Sequence, residues 1–132
     1  MTLSLTTQDK STLRTAAYGA VALLAAAGAA GSPHKMATAG TLALTAATGP
    51  VGHVLAARSN DIRLYGKAVA DLADQVLPAL SATMALLGEQ DPAEAGNFRG
   101  TVLVAIEAAS QGASSPAVAA MAGKIIAALD AA

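Results

Sequence analysis

More than a quarter of this chain is alanine: 36 of its 132 residues. Alanine is the strongest helix former, because its methyl group loses no rotamer freedom in a helix. It is also a poor core filler, because it removes little area from water. The larger apolar residues number 35: 16 Leu, 8 Val, 4 Ile, 4 Met, 2 Tyr and 1 Phe. That is enough for one globular core but not a rich one. Such a chain is expected to pack closely spaced helices in thin layers, as a single domain over residues 1–132.

The densest apolar run, "AAYGAVALLAAAGAAG" at 16–31, has three readings: membrane span, secretory leader or bundle helix. Lys10 and Arg14 precede it as a leader's basic region does, and "AGAAGS" offers small residues for cleavage. Insertion, however, is driven by Leu, Ile, Phe and Val, at about −0.3 to −0.6 kcal/mol each. Only Val21, Leu23 and Leu24 contribute here, roughly −1 to −2 kcal/mol together. The second uncharged run, Met36–Ala57, carries four Thr, three Gly, Pro50 and His53, which makes it a poor span. The expectation is a cytoplasmic protein with no membrane contact and no cleaved leader.

Cysteine is absent, which excludes disulfides, thiolate metal sites and Cys nucleophiles. Net charge is −1, so no overall field draws nucleic acid. The halves differ, though. Residues 1–67 carry six Lys/Arg against Asp9 and Asp61, and residues 68–132 carry Arg99 and Lys124 against seven acids. Such halves either dock on each other within one bundle or meet between subunits.

Punctuation divides the chain into helices. Thr6 or Thr7, with Asp9, caps a first helix that runs to about Ala27, with Gly28 or Gly31 as its stop. Leu13, Ala17, Ala20, Leu24 and Ala27 share one stripe. Ser32 and Pro33 start a second helix over 33–48, and "TGPVG" breaks it before a short helix from Pro50 to Ala57. The polar stretch "RSNDIRLYG" reads as a surface connection, with Ser59 or Asn60 as a cap. A fourth helix over 67–87 shows Val69, Leu72, Val76, Leu80, Met84 and Leu87 at helical spacing, and Pro78 is expected to kink or split it. "DPAE" combines a capping Asp91, Pro92 at the first helical position and Glu94 two residues on, as in a capping box. The fifth helix runs to about Gln111 on a stripe of Phe98, Val102, Ala105 and Ala109, with Leu103 and Ile106 beside it, and Gly112 ends it. "SSP" opens a sixth helix with Val118, Met121, Ile125 and Leu129 facing inward. No run alternates usefully with period two. The fold class is therefore all-α, a bundle of five or six helices.

Nothing in the sequence assembles a catalytic, cofactor or metal site. His34 and His53 are the only histidines and have no acidic neighbour. Asp71 and Asp74, and Glu89, Asp91 and Glu94, read as solvated faces and caps, with Lys67 four residues before Asp71. Glu107 stands between Ile106 and Ala108 and is expected to be exposed; Arg99 is expected in a structural ion pair. No nucleophile elbow or phosphate loop is present. Arg58, Arg63 and Lys67 near Tyr65 lack the wider basic face that nucleic acid needs.

Three stretches, "LRTAAYGAVALLAAA" (13–27), "VLPAL" (76–80) and "NFRGTVLVAIEAA" (97–109), resemble a family of short conserved hypothetical proteins from mycobacteria and related actinobacteria. The resemblance covers most of the chain in the same order, implies an all-α fold and brings no catalytic residues. Residues 98–129, helix, loop and helix, also resemble the end of a tellurite-resistance B-type helical domain. Such domains usually place acidic residues around that loop; here it reads "SQGASSPAV", so no metal ligands carry over. The expected function is non-catalytic, through homo-oligomers or protein partners, with Tyr18, Tyr65, Phe98, Arg99 and Leu103 as contact residues. The alternatives are a small-molecule or lipid carrier with an apolar cavity, and a membrane-associated hairpin.

Overall fold

A computed structural model describes residues 4–28, 33–57, 68–110 and 115–131. Among these the chain forms six helices and no strand: α1 (Thr7–Ala27), α2 (Pro33–Thr45), α3 (Gly49–Ala56), α4 (Val69–Gln90), α5 (Pro92–Ser110) and α6 (Pro116–Asp130). The expected bundle is present. The cap at Ser32, the stops at Gly31 and Gly112 and the connection at 58–66 lie outside the described residues.

α1 is the hub, and it packs against all five other helices. It opens with a capping box: the Thr6 hydroxyl accepts from the Asp9 N–H at 3.0 Å, and the Thr6 N–H donates to the Asp9 carboxylate at 3.0 Å. From Leu13 to Ala25 it is buried on nearly every face, not along one stripe. Ala16, Ala17, Gly19, Ala20, Val21, Leu23 and Leu24 are all inside. A fully buried Leu contributes about 1.5–3 kcal/mol and an alanine methyl under about 1 kcal/mol. What alanine offers the hub is close approach. At Gly40 of α2 an added Cβ would stand 2.7 Å from Val21 Cγ1, so only a residue without a side chain fits against α1 there. The apolar run at 16–31 is thus largely a core helix. No helix of the described residues is long and apolar enough to cross a membrane.

α4 runs unbroken through Pro78, which does not divide it. Pro78 lies on the exposed side, where water can satisfy the Asp74 carbonyl that a proline cannot reach. Val76, Leu80, Thr83 and Leu87 face inward, and Leu72 and Met84 pack partly buried beside them. α6 buries the expected four residues. The Ser81 hydroxyl donates to the Ala128 carbonyl at 2.8 Å, and Arg99 of α5 donates to both Asp130 oxygens, at 2.8 and 3.3 Å. This is the ion pair expected for Arg99, and its hydrogen bond holds the Asp130 carboxyl below its ordinary range.

α3 has only eight residues, too few to be stable alone. Side chains from two other helices hold its ends. At its start, Glu94 of α5 accepts from the Val51 N–H at 3.1 Å, and Asn97 donates to the Thr48 carbonyl at 2.9 Å. Its first residue, Gly49, sits at φ 75°, a conformation open chiefly to glycine. At its end, Arg14 of α1 donates to the Val54 carbonyl at 3.0 Å, and the Tyr18 hydroxyl to the Leu55 carbonyl at 2.6 Å. A carboxylate at the start and a guanidinium at the end both suit the helix dipole. Glu94 is therefore no capping-box partner within α5. Asp91 caps α5 through the Ala93 N–H at 3.1 Å, while Glu94 caps a different helix.

Candidate functional site

The titratable residues do not converge. Among the described residues no group of three His, Cys, Asp or Glu could hold a metal ion. His34, His53, Asp71, Asp74, Glu89 and Glu107 are exposed on four different helices. Glu107 is thus exposed as expected. The contact residues read from the sequence are largely committed internally. Phe98 is 0 % exposed, and so offers no surface to a partner. It belongs to the core stripe, as its spacing with Val102 and Ala105 also implied. Tyr18 is half-buried against α3, where desolvation raises its pKa above 10.0. Arg99 is half-buried and paired with Asp130. Leu103 is partly buried against the core. Tyr65, and with it Arg58, Arg63 and Lys67, lies outside the described residues.

A shallow groove of about 440 Å³ lies between α2 and α5. Ala43, Ala46 and Ala47 form one wall and Gly96, Gly100 and Val104 the other. The bond from Asn97 to the Thr48 carbonyl puts the end of α2 beside the start of α5, so the two helices run antiparallel. Two large apolar side chains stand exposed among the described residues: Val104 at 58 %, which lines this groove, and Leu42 at 65 %, which stands on α2 outside its lining. Leu42 lies one turn before Ala46 on the α2 wall.

Each wall lies on a helical stripe that continues past the lining residues. On α2 it reads Lys35, Leu42, Ala46, spaced seven and four. On α5 it reads Gly96, Gly100, Val104, Glu107, spaced four, four and three. Lys35 and Glu107 are both exposed. Gly96 and Gly100 are costly in a helix interior, at about 1 kcal/mol each relative to alanine. None of the described residues requires them: beyond the helix's own backbone, a Cβ at either position meets no atom within 4 Å. Gly88 and Gly123 are equally open but stand singly, whereas Gly96 and Gly100 stack one turn apart in the groove lining. Sequence reasoning missed this face. Its signal was "GNFRG" at 96–100, two small residues one turn apart on the side away from the core stripe.

A second depression, about 240 Å³, is lined by Leu5, Lys10, Pro50, His53 and Val54. It sets two basic side chains over an apolar floor. Comparison of the chain with protein-family models, with curated proteins and with solved structures finds no match.

Proposed function

We propose that this is a non-catalytic helical protein that acts by protein–protein contact, with the α2–α5 groove as its docking face. The observation that carries this reading is the exposure of Val104 in the lining of a groove of alanine and glycine, with Leu42 exposed on α2 one turn before the lining residue Ala46. Single exposed apolar residues are ordinary on protein surfaces, but here two stand on the neighbouring helices whose small residues line one groove. Its small residues leave room for an incoming helix to approach closely. In this reading the protein works in the cytoplasm, which the absence of cysteine favours. On the three stretches quoted above it belongs with the actinobacterial family.

A second reading, a carrier of a small anionic molecule, rests on the depression where Lys10 and His53 stand over Leu5, Pro50 and Val54. Native mass spectrometry of protein purified without detergent separates the two. The docking reading expects the 12.8 kDa chain and its multiples with no small adduct. A reproducible small-molecule mass, lost on Lys10→Ala, would replace it with the carrier.

A further inference from the structure

We infer that the occupant of the α2–α5 groove is a second copy of this chain, related by a two-fold axis parallel to the two helices, so that α2 of each copy lies over α5 of the other. The inference rests on the docking reading and names its partner. It follows from how the two walls match. Take the lining residues Ala46 and Gly100 as the origin on each side. Leu42 is one turn from Ala46 and Val104 one turn from Gly100, so both stand about 6 Å further along the groove. A two-fold along the groove therefore lays Leu42 of one copy on Val104 of the other, twice. From the same origins Lys35 stands about 16 Å along and Glu107 about 10 Å, a gap that their long side chains span. The same operation sets each Lys35 beside the other copy's Glu107. Neither has an ion-pair partner among the described residues. The walls are complementary to each other in both apolar contact and charge, which is what an isologous interface requires of one surface. Gly96 and Gly100, which no internal contact explains, then let the partner's α2 approach closely.

Sedimentation equilibrium of the full chain tests this, with far-UV circular dichroism as the check on folding. The wild type is expected to show a concentration-dependent monomer–dimer equilibrium. Val104→Glu is expected to weaken it at least about tenfold, since it buries a charge against Leu42 at two symmetric points. Lys35→Glu alone is expected to weaken it about fivefold, and Lys35→Glu with Glu107→Lys to restore it. Because the chain has no cysteine, oxidative cross-linking reads the geometry directly. An equal mixture of Leu42→Cys and Val104→Cys proteins is expected to form a covalent dimer far better than either alone. A wild type that stays monomeric at every concentration overturns the second copy. The docking reading is judged separately, by the adduct measurement. A dimer indifferent to Val104→Glu, or single variants that cross-link as well as the mixture, places the interface elsewhere and overturns the inference.

Discussion

α1 and α6 bury their residues by opposite means. α6 is apolar almost throughout, with only Lys124 and Asp130 charged, yet it hides a single stripe of four residues. α1 carries Asp9, Lys10, Ser11, Arg14 and Thr15, yet it is buried nearly all round from Leu13 to Ala25. Apolarity therefore does not rank the helices by burial. Size and position do. A helix rich in Ala is thin enough for five neighbours to close around it, and its Arg14 and Tyr18 side chains reach backbone carbonyls of α3.

The comparison breaks most readily at the hub. Ala17→Leu adds three carbons where the residue is 0 % exposed and is expected to cost about 3 kcal/mol. Ala120→Leu, on the exposed side of α6, is expected to change stability by less than about 0.5 kcal/mol. Urea unfolding measures both, and equal losses would mean that α1 is no more crowded than α6. Arg14→Met keeps the stem and removes the guanidinium. It is expected to cost about 2–3 kcal/mol, since the buried Val54 carbonyl loses its donor.

Tyr18→Phe is a smaller cut on the same helix, about 1 kcal/mol, for the bond to the Leu55 carbonyl. It also has a pH signature. Burial raises the Tyr18 pKa above 10.0, so the neutral phenol is favoured in the folded chain. The associated stability is present below pH 10 and is lost as pH rises through the folded value. Tyr18→Phe should remove that alkaline slope from a series of melting curves. The smallest effect belongs to the exposed end of α6. Asp130 is held low by Arg99, so its contribution is present above the ordinary carboxylate range and is lost as pH falls through the lowered value. Arg99→Gln should flatten this shallow acid limb, while neutral stability hardly moves.

What the sequence disclosed follows how local each cause is. Thr6, Asp91 and Ser115 bond N–H groups two or three residues on, and the inward stripe of α6 depends only on helical spacing. Those features were legible. Glu94 occupied the right place for a capping box in α5, but its acceptor role is 43 residues away at Val51. Arg14 read as a leader-like charge, and its carbonyl partner is 40 residues on. Pro78 was expected to kink or divide α4; the helix is not divided, because the proline faces water. The groove was least legible. Lys35, Leu42, Val104 and Glu107 become one face only when α2 and α5 lie antiparallel, and no local signal fixes that register.

Small residues thus work on two surfaces: inside, around α1, where neighbours already fill the space, and outside, along α5, where none of the described residues does. Gly100→Ala separates these uses directly. The measurement is its unfolding midpoint at a dilution where the protein is monomeric, together with its dimer dissociation constant. The account predicts opposite changes. The monomer gains about 0.5–1 kcal/mol, because alanine suits a helix interior better than glycine and its Cβ meets nothing. The dimer weakens, because that Cβ occupies the partner's space. A dimer of unchanged or greater strength would contradict it.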